Sequence, residues 1–256
     1  MMQKFSVCVL GSKDIYTKMV VESLTRQGLN FTLILEGQDR NVSRIESILG
    51  KPLAFYNALT SGRFKALPKL SFFTIHAFLR ERIFSRSRAA RSILMQFESV
   101  ALEGVRVPSI NHVKTLRLIE EGRYDIGVFA GVGIVDGAII SAFSKCCMNA
   151  HPAPLPECRG GGALINTLAY GLMPSVSVHI ATAEIDEGEI LRVQRLKLEK
   201  NDSYESINLR LGVLCAKRLA EVVKIVANGD VVEVKINNGR LHYWKQCTIV
   251  VQRKAI

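Results

Sequence analysis

Asn149 and His151 are two polar side chains that stand two residues apart at the predicted carboxyl end of a strand. In an extended chain, residues i and i+2 project to the same side, and ligands of open α/β sheets bind beyond such strand ends. Three prolines follow within residues 152–156, where they stiffen the loop and remove amide donors. We therefore expect this pair to stand on a backbone that is held in place.

A carboxylate that could approach the pair lies further along the chain, in the acidic turn 184–188 between two predicted strands. Together, Asn149, His151 and Asp186 offer a neutral donor, a group that titrates near pH 7 and an orienting carboxylate. Acyl transfer to an amine needs these parts, because each donor well placed at the developing oxyanion contributes roughly 3–4 kcal/mol. Taken singly, a histidine after a strand is more often structural and an aspartate in a turn is an ordinary solvated residue. The combination favours a catalytic site.

The elements that must position these residues begin with a βαβ unit. Residues 5–10 form an apolar, β-rich run closed by Gly11, residues 14–28 repeat apolar side chains at helical spacing, and residues 31–35 form a second short apolar run. Parallel strands need a crossover connection of this kind. The pattern predicts a doubly wound sheet.

The rest of the chain continues the alternation of helices and strands. We predict helices over residues 44–49, 75–96, 113–121, 137–143 and 203–227, together with a helix that runs through Tyr170. We predict strands over residues 125–130, 175–183 and 189–198, with a further strand ending at Asn149. Two alternating runs close the chain, 231–236 and 241–251, and the turn residues between them predict a β-hairpin.

The composition is that of a folded chain, with 256 residues of which 48% are apolar and 22% charged. A formal charge of +11 favours an anionic partner, such as a phosphorylated substrate, a polyglutamylated cofactor, nucleic acid or a lipid surface. The six cysteines include no CxxC pair, which indicates reduced thiols in a cytoplasmic protein. The first residues show neither a cleavage-site pattern nor a run of about 18 apolar residues, so we expect no membrane insertion.

Three sequence blocks resemble a known family: DIGVFAGVGIV, NAHPAPLPECRGGGALINTLAYG and SVSVHIATAEIDEGEIL. In type and order they are similar to the formyltransferase superfamily, which includes glycinamide ribonucleotide, methionyl-tRNA and sugar-nucleotide formyltransferases. The resemblance covers residues 123–225 and extends more weakly over residues 1–37. It implies an α/β, Rossmann-like formyltransferase fold: a mostly parallel twisted sheet with helices on both faces, plus a C-terminal β-hairpin. We divide the chain into a catalytic domain, 1–228, and a hairpin extension, 229–256.

The resemblance also implies the site. It assigns catalysis to Asn149, His151 and Asp186, and it implies 10-formyltetrahydrofolate as the formyl donor, with no metal. The donor would lie in a cleft lined by two short segments. Their residues are Gly131, Ile134 and Val135 in the first, and Ala183, Glu184 and Ile185 in the second. His179 also fits the family block, but it stands in an alternating strand, so we interpret it as a packed or ordering residue outside the catalytic set.

The formyl acceptor is narrowed by two departures from the family. The turn after the first strand, residues 11–15, has one glycine where glycinamide ribonucleotide enzymes carry a glycine- and serine-rich phosphate loop. The residues after the long helix suffice for a hairpin but not for the C-terminal barrel of methionyl-tRNA enzymes. The layout is closest to sugar-nucleotide N-formyltransferases, which implies the amine of a nucleotide-linked deoxysugar as substrate, a role such as lipopolysaccharide O-antigen biosynthesis, and a homodimer.

Several alternative interpretations of the acceptor, the site and the function stay open. The acceptor could instead be an aminoacyl-tRNA held by the arginine run of residues 80–91, although such a run is more often a solvated face. Arg159 with Gly160–Gly162 suits either an anion site or a close-packing glycine turn. The fold could also serve as a non-catalytic folate or nucleotide sensor, whereas a dinucleotide site would need more glycines after Gly11. A base of the substrate could stack on an aromatic residue: Trp244, Tyr243 or Phe84.

Overall fold

The structure is a computed structural model that describes residues 3–37, 88–200, 202–237 and 242–243. The fold below belongs to the compact unit formed by Met1–Gln38 and Ala89–Ile256. The strands within these residues are β1 Val7–Gly11, β2 Thr32–Glu36, β3 Val105–Val107, β4 Ile126–Ala130, β5 Cys146–His151, β6 Cys158–Arg159, β7 Ser175–Ile180, β8 Ile190–Arg195 and β9 His242–Tyr243. The helices are α1 Ile15–Arg26, α2 Arg88–Glu98, α3 Val113–Gly122, α4 Gly137–Ser141, α5 Ala163–Ala169 and α6 Tyr204–Ala227.

The main sheet holds seven of the described strands in the order β3-β2-β1-β4-β5-β7-β8. Neighbouring strands from β3 to β5 run parallel, whereas β7 runs antiparallel to both β5 and β8. The sheet is therefore mostly parallel, which confirms the predicted fold class. The strand order reverses between β1 and β4, and ligands of open α/β sheets bind beyond the carboxyl ends of the strands at such a point, here Gly11 and Ala130.

Helices cover both faces of this sheet. Alternate residues of β1 enter two separate cores, since Val7 and Val9 join the cluster that contains α1 and α6, while Cys8 and Leu10 join the cluster that contains α3 and α4. The period of two along a strand produces this division. Both cores are closely packed and exclude water, so the strand ends stand on a rigid platform.

The two longest described helices have clear start signals. Asp14 caps α1 by accepting the amide of Thr17 at 2.7 Å, and Ser203 with Ser206 forms a reciprocal capping box at the start of α6. Such caps contribute about 1 kcal/mol each. Buried residues recur every four positions along α6, as at Leu211, Cys215 and Leu219, so one face packs on the sheet. No described helix combines the length and the apolar character needed to cross a bilayer.

The observed elements differ from the predicted ones mainly at their ends. The helix predicted to run through Tyr170 spans Ala163–Ala169, and the two residues before its glycine turn form the short strand β6. Strand β5 continues past Asn149 to His151, because β7 pairs with its last residues. The helix predicted at 44–49 lies outside the described residues, as does most of the helix at 75–96, whose described part belongs to α2.

The C-terminal runs are described in part. Lys235 forms an antiparallel bridge with Ile190, and β9 pairs in parallel with β6. Pairing of the two runs with each other falls largely outside the described residues and stays a prediction. The described part of this segment thus lies against β8, which follows the acidic turn, and against β6, which follows the proline loop.

Candidate active site

The pairing of β5 with β7 places the polar pair. Met148 and Ala150 are buried in the core on one face of the sheet, so Asn149 and His151 project from the other. In the antiparallel register, Asn149 lies directly opposite His179 and His151 lies opposite Ser177. Side chains of such cross-strand pairs stand within contact distance of each other. The prediction that Asn149 and His151 share one side is confirmed.

The proline loop after β5 is fastened by a buried hydroxyl. Ser177 donates its hydroxyl proton to the carbonyl of Ala153 at 2.8 Å and accepts the amide of Leu155 at 2.9 Å. Because prolines supply no amide donors, this loop depends on the few bonds that remain to it. The Leu155–Pro156 peptide is cis. The loop is held in place, as the sequence predicted.

Asp186 enters the site on the loop between β7 and β8. It adopts a left-handed backbone conformation with φ of 54°, which a residue other than glycine adopts only with some strain. Two residues later, a Cβ on Gly188 would collide with the carbonyl oxygen of Ile180. The loop therefore folds back tightly against the end of β7, and this brings the Asp186 carboxylate to the face that carries His151.

The carboxylate of Asp186 bridges two imidazoles. Its Oδ2 lies 3.3 Å from Nδ1 of His151, and its Oδ1 lies 3.4 Å from Nε2 of His179. The amide of Gly160 donates to the same Oδ2 at 2.8 Å. The carboxamide nitrogen of Asn149 lies 3.3 Å from Nε2 of His179. Asp186 thus contacts His151 directly, and His179 links Asp186 to Asn149. The three residues predicted to be catalytic belong to one cluster that also contains His179.

The ring nitrogens show where protons can reside. Nε2 of His151 lies 3.0 Å from the carbonyl of Cys158, and Nδ1 of His179 lies 2.8 Å from the carbonyl of Ile180. A carbonyl only accepts hydrogen bonds, so we assign a proton to each of these nitrogens. The other ring nitrogens, which face the carboxylate, then carry lone pairs when the rings are neutral. The negative charge of Asp186 favours an added proton on the neighbouring nitrogen of His151.

The pKa values of the cluster agree with this role. Burial lowers the pKa of His151 below its ordinary value of 6.5, although the charge of Asp186 opposes the change. The ring is therefore neutral at pH 7 and able to act as a base. Burial raises the pKa of Asp186, but the contact with His179, the positive charge that each imidazole carries once protonated, and the Gly160 amide outweigh it and hold that pKa well below its usual range. Asp186 stays ionised at neutral pH.

The two segments predicted to line the donor cleft approach each other beside this cluster. Val135 is buried in the same apolar cluster as Ala181, and a Cβ on Gly137 would lie 3.8 Å from the Cβ of Ala183. Ile134 and Ile185 stay exposed at 71% and 40% of their surface. Their apolar surface is therefore available for contact with another molecule.

The remaining residues of these segments are placed by hydrogen bonds and backbone shape. Gly131 follows β4 in a left-handed conformation with φ of 71°, and a side chain there would strike the carboxylate of Asp14. The carbonyl of Glu184 accepts the hydroxyl of Thr182 at 3.1 Å. The Asn111 carboxamide donates to the carbonyl of Ile134 at 2.9 Å and accepts the amide of Asp136 at 2.9 Å. Asn111 thus holds the first segment in place, a role that no sequence pattern indicated.

The glycine turn after β6 binds an anion from within the protein. The amide of Gly160 is taken by the Asp186 carboxylate, and the buried guanidinium of Arg159 pairs with Glu187 at 3.1 Å. Both of these groups thus have partners within the protein, so neither is free to hold an external anion. Other candidate contacts are outside the described residues or side chains: Arg80, Arg82, Phe84, Arg86, Arg88, Tyr243 and Trp244. Within the described part of the chain, no group of His, Cys, Asp and Glu side chains is arranged to hold a metal.

His179 is the contact that the sequence interpretation left outside the catalytic set. Its signal was present, because Ser175, Ser177 and His179 place polar groups on one face of a strand whose other face is apolar. A strand buried on both faces normally carries apolar residues on both. What the sequence did not show is that β7 inserts antiparallel beside β5, which makes His179 the neighbour of Asn149. A bulge between Val178 and His179 further adjusts the direction of the ring.

With this geometry established, comparison with known proteins gives the family. The family model described as formyl transferase matches residues 93–223, just over half of the chain. The chain belongs to the formyl transferase family. The match includes Asn149, His151 and Asp186, and it ends within α6.

Individual members of the family resemble the chain over different extents. Methionyl-tRNA formyltransferase of Rickettsia typhi is 31% identical over 142 residues, which covers 55% of this chain and 46% of that protein. The chain spans about half the length of the curated relatives it matches. A sugar N-formyltransferase from Shewanella sp FDAARGOS_354 shares the fold with a TM-score of 0.58 at 12% identity, covering 98% of this chain and 87% of that one. An N-formyltransferase from Helicobacter canadensis, solved with folinic acid and dTDP-3-aminofucose, gives 0.55 at 14% identity, covering 99% and 80%.

Proposed function

We propose that this protein transfers a formyl group from 10-formyltetrahydrofolate to a primary amine. The observation that carries the proposal is that Asn149 and His151 on β5 and Asp186 on the loop after β7 meet, together with His179, in one cluster of close contacts. A half-buried carboxamide donor, a neutral buried imidazole and an ionised carboxylate are the groups that acyl transfer to an amine requires. Membership of the formyl transferase family supports the same chemistry.

In the proposed reaction the acceptor amine forms a bond to the formyl carbon, and negative charge grows on the formyl oxygen. In this proposal Asn149 donates a hydrogen bond to that oxygen, with roughly 3–4 kcal/mol of stabilisation for a well-placed donor. The amine must lose one proton, which the Asp186–His151 pair can accept together because the Nδ1 lone pair of neutral His151 faces the carboxylate. The bond between the formyl carbon and the folate nitrogen then breaks, and that nitrogen takes the proton as tetrahydrofolate leaves. In this proposal His179 contacts both Asn149 and Asp186 and keeps their side chains in position relative to each other.

The donor folate is proposed to bind between the segments that carry Ile134 and Ile185. Both side chains are exposed beside the cluster, and the loop from Ala183 to Asp186 supplies backbone groups next to the reacting centre. The H. canadensis enzyme of the same fold was solved with folinic acid, which is a formylated folate. No metal is needed for this reaction, since the charges that develop are met by side chains of the cluster.

For the acceptor we propose the amino group of a nucleotide-linked deoxysugar. The first βα turn does not offer a free phosphate loop, because Asp14 occupies the amide of Thr17 and the amide of Ser12 donates to the Thr17 hydroxyl. This counts against a ribonucleotide phosphate at that turn. A net charge of +11 suits a diphosphate-bearing substrate, and the H. canadensis enzyme was solved with dTDP-3-aminofucose.

An aminoacyl-tRNA is the second candidate acceptor. It is favoured by the 31% identity to methionyl-tRNA formyltransferase of R. typhi and by the same positive charge. Both candidate acceptors present an amine and differ in the rest of the molecule. Turnover measured with each of them therefore distinguishes the two hypotheses.

The test is turnover with a panel of amines. The full chain is incubated with 10-formyltetrahydrofolate and, in turn, with amino-sugar nucleotides, methionyl-tRNA and glycinamide ribonucleotide, and the products are scored for the mass of one added formyl group and for tetrahydrofolate. We expect formylation of an amino-sugar nucleotide, with loss of activity in Asn149→Ala and retention in Asn30→Ala, a matched change at an exposed residue. Formylation of the tRNA alone would assign the second acceptor. Folate binding without turnover on any amine would refute the enzymatic proposal.

A further inference from the structure

The C-terminal segment after α6 returns to the active-site loop. Lys235 and Ile190 exchange two backbone hydrogen bonds of 2.8 and 2.9 Å, which fix the segment along β8. Two residues further on, the carboxamide nitrogen of Asn237 donates to the carbonyl of Asp186 at 2.9 Å and to the carbonyl of Gly188 at 2.7 Å. One side chain thus satisfies two carbonyls of the loop that carries the catalytic carboxylate.

Arg159 holds Asn237 from the opposite side. Its guanidinium donates to the backbone carbonyl of Asn237 at 2.6 Å and to the carboxamide oxygen at 2.9 Å. The same guanidinium pairs with Glu187, the residue after Asp186, at 3.1 Å. Arg159 is only 3% exposed. A buried guanidinium with several planar, charge-assisted bonds is strongly fixed in orientation.

The loop needs such support. Asp186 holds a left-handed backbone conformation that disfavours any side chain by about 1–2 kcal/mol, and residues 182–185 just before it are exposed. Without Asn237, the carbonyls of Asp186 and Gly188 would lose their described partners. A loop of this kind persists in one conformation only when its surroundings over-determine it.

We propose that Arg159 and Asn237 form a clamp that positions the Asp186 carboxylate between His151 and His179. Both are positioning residues, since they reach the reacting groups only through Asp186. The proposal rests on the proposed function for the importance of Asp186. It makes the C-terminal segment part of the active site, whereas the sequence suggested an extension separate from the catalytic domain.

The amide of Gly160 provides a direct readout of the carboxylate position. It donates to Oδ2 of Asp186, so its hydrogen exchange slows only while the carboxylate is in place. The amide of Leu155 donates to the hydroxyl of Ser177 rather than to Asp186 or a clamp residue, so it serves as an internal reference. Exchange at both amides is measured by NMR on the full chain, in the absence of any substrate.

Asn237→Ala should accelerate exchange at Gly160 by about tenfold or more, the effect of losing one bond to a charged acceptor, and leave Leu155 unchanged. Asn237→Asp keeps an oxygen acceptor for Arg159 but removes the nitrogen that donates both hydrogen bonds to the loop. It should therefore accelerate exchange at Gly160 as Asn237→Ala does, and it replaces the alanine variant if that variant folds poorly. Asn30→Ala should change neither amide. In an Asp186→Ala background, where Gly160 has already lost its acceptor, Asn237→Ala should produce no further acceleration.

Two results would overturn the clamp. One is unchanged exchange at Gly160 in both Asn237 variants, and the other is equal acceleration at Gly160 and Leu155, which would indicate general loosening. Because exchange requires no turnover, a protein that fails to formylate any amine can still show the clamp, and an active protein can still lack it. The two proposals therefore fail separately.

Discussion

Replacing Asp186 by asparagine tests the central geometry of the site. The exchange preserves the size of the side chain, and its carboxamide oxygen can still accept the amide of Gly160. It removes the negative charge that lies 3.3 and 3.4 Å from the two imidazoles. The variant therefore changes electrostatics with little change in packing.

The size and pH dependence of the effect follow from the contacts of the carboxylate. Hydrogen bonds to a charged group contribute about 1.5–3 kcal/mol, so we expect Asp186→Asn to lower the free energy of unfolding by about 2–3 kcal/mol at pH 7. The pKa of Asp186 in the folded protein lies below its usual range, while an unfolded aspartate titrates near about 3.9. The stabilisation is therefore fully present above that unfolded value and is lost as the pH falls through the folded pKa.

The assay is urea denaturation of both proteins at intervals from about pH 3 to 8. The stability difference should be widest at neutral pH and narrow steadily below about pH 4. Asp136→Asn, at an exposed position, should remain within about 0.5 kcal/mol of the parent protein throughout. A difference that stays constant with pH, or an Asp186→Asn protein as stable as the parent at pH 7, would refute the bridging carboxylate. Once the formyl-accepting amine is identified, turnover by Asp186→Asn should be lower than that of the parent protein by about 10³-fold or more.

Three further changes test the surroundings of the cluster. Gly188→Ala should lower the free energy of unfolding by about 1–3 kcal/mol, because a Cβ there meets the carbonyl of Ile180. Gly133→Ala is the control in a thermal melt, since a Cβ there meets nothing within 4 Å. Equal melting temperatures of the two variants would contradict the close approach at Gly188. Ser177→Ala should cost about 2–3 kcal/mol by urea denaturation, since it orphans a buried carbonyl and a buried amide; a neutral effect would show that the loop has other anchors. Burial raises the pKa of Cys8 to about 12, so at pH 7.5 it should resist iodoacetamide in the native protein and react in urea, as followed by peptide mass spectrometry; native labelling would place Cys8 at the surface.

Much of the site could be predicted because its signals are local. The alternation along a strand places Asn149 and His151 on one side whatever lies beside them, and the prolines that follow restrict the loop by their own covalent structure. The apolar periodicity of residues 14–28 and 203–227 predicted α1 and α6 with ends close to those observed. The acidic turn made Asp186 a candidate only in combination with Asn149 and His151, and the resemblance of its block to the family implied the catalytic role.

The rest depended on partners distant in sequence. His179 joins the site because β7 runs antiparallel beside β5, and no local pattern specifies which strand will be a neighbour or in which direction. Arg159 and Asn237 meet across an interval that includes two strands and the longest described helix. The apparent anion site at Gly160 is filled by Asp186 of the same chain, an outcome that composition and spacing leave open.

The sequence by itself determined the chemical groups and the faces on which they stand, because backbone geometry and side-chain type act over a few residues. Only the tertiary structure decided which of these groups touch, and so which of them share a proton. Hydrogen bonds and charge interactions act over a few ångströms in space, and the antiparallel insertion of β7 and the return of the C-terminal segment bring those distances about. The same sequence features with another strand order would hold Asp186 and His179 apart from Asn149 and His151.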